Sequence, residues 1–233
     1  MSTTAVALGI TNTAIGKKVA MALSGIVLVG FLFVHMLGNL RLFVSPKALN
    51  DYAAFLRDTP ALLWLTRLAL VTSAVTHVTS AFLLWRMNRR ARPVPYARTH
   101  YVATSYAART MVVTGPIVLC YVVYHLAHFT FGFTRGLGYV HAPADVYTNV
   151  VTSFRLWPVA VAYTVANLGL GVHLYHGAWS LLQTLGIRHP RYHELLRSLA
   201  VAFALVVVTG FVAVPIGVML DHFHLIDVLS QRI

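Results

Sequence analysis

Five long apolar runs punctuate the chain: Val19 to Leu40, Leu68 to Trp85, Thr110 to Thr134, Leu156 to Ile187 and Ser198 to Leu220. Each reaches roughly 18 residues or more, the length a helix needs to cross a bilayer. The second run is the shortest and extends back to Ala61 if Arg67 reaches toward the headgroups. The pattern predicts an all-α integral membrane protein with spans at 19–43, 61–86, 109–133, 156–185 and 197–220, in one membrane domain over 1–233. Between the first two spans, Leu49, Tyr52, Ala53 and Leu56 recur at helical spacing. They predict a short amphipathic helix over 46–58, lying on the outer surface. Pro93 and Pro95 predict a non-helical connection from Arg86 to Arg109, and Pro215 predicts a kink in the last span.

Composition agrees with lipid as the solvent. Hydrophobic residues make up 58% of the 233 and charged residues only 10%, against about 25% charged in soluble domains. Lys17 and Lys18 stand directly before an apolar run too long for the core of a secretory signal, so that run reads as the first span. Cys120 is the only cysteine, which excludes a disulfide or a thiolate cluster built from this chain alone. The formal charge of +12 follows topology. With the N-terminus inside and the C-terminus outside, eleven basic residues and one acid lie inside, against seven basic residues and five acids outside. Anionic headgroups account for the basic excess, and nucleic acid is not implied.

The chemistry lies in the histidines. Of the twelve in the chain, His35 falls in the first run, His77 in the second, His125 and His128 in the third, and His173 and His176 in the fourth. Ionisable side chains inside a membrane are costly and point to function. No carboxylate accompanies them, which argues against a proton or cation pathway, whereas neutral imidazole is an ordinary iron ligand. The first and third spans run outward and the second and fourth inward. His35 and His125 therefore fall in the outer half, and His77 and His173 in the inner half. At ~1.5 Å per residue each layer lies ~5 Å from the midplane. The expectation is a four-helix bundle holding two haem b groups, the outer between His35 and His125 and the inner between His77 and His173. A lone histidine would more simply be interhelical glue; four matched in depth across alternate helices favour iron. His128 and His176 lie one turn from proposed ligands and could replace them, although a hydrogen bond near the interface is the favoured reading for both. Gly25, Gly30, Gly38, Gly115, Gly169, Gly171 and Gly177 could line porphyrin faces, or could simply let helices pack closely. Arg41, Arg67, Arg109, Arg188, Ser24, Asn39, Tyr101 and Trp179 are candidate donors for propionates or quinone. His100, His141, His189, His193, His222 and His224 are expected in solvent.

Four segments carry a resemblance: SGIVLVGFLFVHMLGN around His35, the TH pair ending at His77, RTMVVTGPIVLCYVVYH ending at His125, and GVHLYHGAWSLLQTLGI around His173. In this order the chain resembles the cytochrome b558 type membrane subunit of succinate dehydrogenases and fumarate reductases. The resemblance implies one ligand from each of the first four helices, with His173 rather than His176 and His125 rather than His128. It also implies partners: an FAD subunit that oxidises succinate, an iron–sulfur subunit that delivers electrons, and a quinone, often menaquinone, reduced in the anchor. The implied location is the bacterial inner membrane, and a higher oligomer stays open. Some relatives carry a glutamate two residues before the fourth ligand, associated with a proton path; this chain has Gly171 there. Another quinone-linked dihaem cytochrome b and a haem-free anchor are the alternative readings.

Overall fold

The computed structural model describes residues 13–91, 106–187, 189–223 and 225. Among these residues the chain is all-helical, with no strand. Seven α-helices run in order: α1 (Ala14–Leu40), α2 (Pro46–Asp58), α3 (Pro60–Arg90), α4 (Tyr106–His125), α5 (Val146–Arg155), α6 (Trp157–Thr184) and α7 (His193–His222). Five of them, α1, α3, α4, α6 and α7 with their terminal turns, are long and apolar enough to cross a membrane. The chain is thus a multi-pass membrane protein. The connection around Pro93 and Pro95 falls mostly outside the described residues; α3 itself continues to Arg90 before it.

Local chemistry explains where the helices begin. Thr13 accepts the Gly16 N–H at 3.0 Å to cap α1, and Ser45 accepts the Ala48 N–H at 3.0 Å to cap α2. Pro46, Pro60 and Pro158 occupy first-turn positions, where a missing N–H costs nothing. Helix α5 had no counterpart in the sequence reading. Its cap is Asp145, whose carboxylate accepts the Thr148 N–H at 3.0 Å.

Packing is uneven. α3 packs mainly on α1, α4 mainly on α6, and α6 on α7, while α7 also lies against α1. Met36, Leu174, Ala204 and Val207 form a buried core between α1, α6 and α7. Close approach there depends on glycine: a Cβ at Gly210 would strike Met36, and one at Gly171 would meet Val208 at 2.5 Å. A second core, including Leu42, Leu49, Val151, Phe154 and Val218, lies where α2 and α5 fold over one end of the bundle. Helix α4 is the least covered of the five long helices.

That end is latched by polar contacts. Asn50 of α2 donates to the Asp145 carboxylate at 2.9 Å and accepts the Tyr147 N–H at 3.0 Å. Asn149 exchanges two hydrogen bonds with the backbone of Ala142, and Arg57 donates to the Pro143 carbonyl at 3.2 Å. Hydrogen bonds from the Thr148 side chain, the Thr148 N–H and Asn50, in that order of size, hold the Asp145 carboxyl below its ordinary range.

Candidate functional site

α1, α3 and α4 each carry one half-buried histidine, His35, His77 and His125, and α6 carries two, His173 and His176. The structure joins four of them in two pairs. His35 of α1 meets His125 of α4 with ring centroids 5.8 Å apart and planes at 81°. His77 of α3 meets His173 of α6 at 6.3 Å and 61°. Neither α1 with α4 nor α3 with α6 is a principal packing pair. The imidazoles therefore reach toward each other between helices whose backbones pack mainly elsewhere.

The two pairs occupy different heights. A Cβ at Gly25 of α1 would touch His77 Cε1 at 3.6 Å, and one at Gly115 of α4 would touch His173 Cε1 at 3.9 Å. Both glycines lie ten positions before the histidine of their own helix, His35 or His125. Ten residues of helix rise ~15 Å, so the two layers are separated by about that distance. The shared spacing is a short internal repeat absent from the sequence reading: Ser24-Gly25 and Thr114-Gly115 each precede a histidine by the same interval. An aromatic residue, Phe31 or Tyr121, sits one turn before each histidine and lies against its ring, at 5.2 Å and 6.2 Å. Comparing the two apolar runs position by position would have revealed it.

The residues present fit a metal held between two imidazoles. Metal–nitrogen bonds of about 2 Å on either side of one ion separate the ring centres by about 6 Å, and the pairs lie at 5.8 Å and 6.3 Å. His77 Nδ1 lies 3.1 Å from the Met21 carbonyl. That acceptor requires the proton on Nδ1 and leaves the Nε2 lone pair for a ligand, the arrangement usual around metal-bound histidine. Nδ1 of His125 and Nδ1 of His173 are buried with no hydrogen-bond partner. Among the described residues no cluster of three or more histidine, cysteine or carboxylate side chains is suited to a metal. Each couple thus offers two imidazoles, with no third side chain of that kind among the described residues.

His128 is not free to replace His125. It is 1% exposed, and both of its ring nitrogens are engaged: Nδ1 with the Tyr163 hydroxyl at 3.0 Å, Nε2 with the Tyr139 hydroxyl at 3.0 Å and with Ser153 Oγ at 3.2 Å. In either tautomer one nitrogen donates and the other accepts from a phenol, so no lone pair remains for a metal. The backbone makes this possible by changing from α to π geometry over Leu126–Thr130, directly after His125. Burial pushes the Tyr139 phenol up, so it stays a donor. His176, one turn beyond His173, is half-buried.

The glycines divide by role. Gly25 and Gly115 abut the histidines, and a Cβ at Gly30 or Gly177 would meet nothing within 4 Å. Gly169 faces Ile117, whereas Gly38 and Gly171 are packing positions beneath Tyr52 and Val208. The candidate donors have local partners. The Arg41 guanidinium lies over Tyr52 at 4.9 Å and that of Arg67 over Trp64 at 5.0 Å. Ser24 donates to the Ala20 carbonyl, Asn39 to the His35 carbonyl, and Trp179 packs edge-on to His193 at 4.9 Å. Arg109 begins the third span. Tyr101, Arg188, His100 and His224 lie outside the described residues.

Two of the histidines expected in solvent are partly covered. His141 has a buried Nδ1 and packs so close to Gly132, at φ +67°, that a Cβ there would lie 2.8 Å from its ring. His193 starts α7 and rests on Trp179. His189 and His222 are exposed.

No protein-family model matches the chain, and comparison with curated proteins and with solved structures gives no match either.

Proposed function

We propose that the chain is the cytochrome b membrane anchor of a succinate:quinone oxidoreductase in a bacterial inner membrane, oriented with its N-terminus inside. His35 and His125 would hold an outer haem b, and His77 and His173 an inner one. The observation that carries the reading is the pair of imidazole couples: four helices, two heights, each couple spaced for one shared ion. When bound, the haems supply one-electron carriers at two depths.

The protein's own residues do the rest. The Met21 carbonyl fixes His77 Nδ1–H and so directs Nε2 inward. Gly25 and Gly115 leave room beside the ring edges of the inner couple. Ligation by two histidines would leave the iron no open position, which would suit electron transfer rather than oxygen binding. The sequence resemblance adds the expected partners: an iron–sulfur subunit feeding the inner layer, an FAD subunit carrying succinate oxidation, and menaquinone as the acceptor.

A reduced-minus-oxidised spectrum with haem quantitation tests the reading. Two low-spin haems per chain are expected, together with copurification of a flavoprotein and succinate-driven quinone reduction. A chain purified from its native membrane without haem would overturn it.

A further inference from the structure

The geometry points to His128 as a positioning residue for the outer couple, holding the His125 ring in place through Tyr163 and Phe129. The inference rests on the two-haem reading above and goes beyond it, because the chemistry of His128 is not that of a ligand.

His77 is oriented by a hydrogen bond to a backbone carbonyl. His125 Nδ1 is buried and makes no hydrogen bond, so its ring direction is set by neighbouring rings. Besides His35, these are Tyr121 at 6.2 Å, Phe129 at 5.7 Å and Tyr163 at 6.1 Å. Two of those three are registered by His128. Tyr163 is pinned at its hydroxyl by His128 Nδ1, and Phe129 stacks on the His128 ring at 4.3 Å and 26°. His128 is itself fixed from the other side: Tyr139 and Ser153 both engage its Nε2, and Ser153 donates onward to the Asn149 carbonyl at 2.7 Å. The knot thus ties the π turn, the 131–145 connection, α5 and α6 to one imidazole.

Glue alone would not need this placement. A buried polar knot anywhere along α4 would tie these helices together. This one lies on the residue that touches two of the three aromatic neighbours of a candidate ligand. Groups hydrogen-bonded directly to a metal ligand typically alter metal affinity by about 10–100-fold when removed; His128 acts one step further back, through two rings, so the lower end of that range is its ceiling.

The test uses the full chain with its haems, reading the low-spin ferric EPR signal of each haem and the rate at which each is lost to an excess of haem-scavenging apoprotein. In His128→Phe the His35/His125 signal should shift and its haem should leave faster, by up to about 10-fold, while the His77/His173 haem stays unchanged. His128→Gln, which keeps hydrogen-bonding capacity, should recover much of the difference. If His128→Phe does not fold, Tyr163→Phe keeps the ring and removes only the hydroxyl, and should move the same signal in the same direction. Two haems with unchanged signals and loss rates, or equal changes at both, would overturn the positioning role while leaving the two-haem reading intact. Absence of haem from the unmodified protein would remove both.

Discussion

The two histidine couples share their ligand chemistry and differ in how the rings are held. At His77–His173 one imidazole is bonded to the Met21 carbonyl, and a Cβ at Gly25 of α1 or Gly115 of α4 would only just reach a ring edge. At His35–His125 the rings sit in an aromatic cage, with Phe31, Phe211, Tyr121, Phe129 and Tyr163 around them, beneath the end covered by α2 and α5. A carbonyl of a helix fixes a tautomer directly. A cage of rings fixes only direction, and it needs something behind it to stay rigid. The couple lacking a direct hydrogen bond is the one next to the polar knot on His128.

Removing a ligand separates the couples most sharply. His77→Ala should lower haem content from two to one per chain and spare the His35–His125 site; His125→Ala should do the reverse. Haemochrome assay with EPR identifies which haem remains, and two haems in either variant would break the pairing. A smaller effect is expected from filling the glycine contacts. Gly25→Leu or Gly115→Leu forces bulk against His77 or His173, and such overpacking costs about 1–3 kcal/mol. Loss of that one haem with unchanged helix content by circular dichroism would support the assignment of these glycines; equal effects at both couples would refute it.

The smallest effect concerns the latch over the other couple. Asp145→Ala removes a helix cap worth about 1 kcal/mol and should speed amide exchange at Tyr147 and Thr148 without altering the His77 end. The acid response has a definite sign. The folded carboxyl sits below its ordinary value of 3.8. Its contribution is therefore complete above that value and is lost as pH falls through the lower, folded one. Amide protection should be flat from neutral pH down to ~5 and weaken only below ~4, and Asp145→Asn should flatten that acid limb.

The five long helices were legible because charge-free runs of that length have few other uses. Helix α5 was missed because it is short and carries Thr148, Asn149, Thr152 and Ser153. Yet Tyr147, Val150, Val151 and Phe154, all buried, repeat at helical spacing behind an aspartate cap, so the signal was present. The depth of each histidine follows from helix rise alone, which sequence supplies. Whether two imidazoles face each other depends on how each helix is rotated, and that is decided by packing such as Gly171 on Val208 and Gly210 on Met36. The surroundings of His128 were not legible for a different reason. Its partners Tyr139 and Ser153 arrive from a connection and from α5, and a π turn leaves no mark in hydrophobic periodicity.

The π turn amounts to one surplus residue in the climb from His125 to Thr130. Deleting a single position there, for instance Ala127, would let the backbone regain a regular α ladder; residues beyond the turn would stay nearly in phase, because the π turn already absorbs the extra residue, while those inside it, His128 among them, would rotate about the axis. The helix itself would be more ordinary for it. The imidazole now tied to Tyr139, Tyr163 and Ser153 would face elsewhere, so at this point the chain has kept an irregular backbone in exchange for where one side chain ends up.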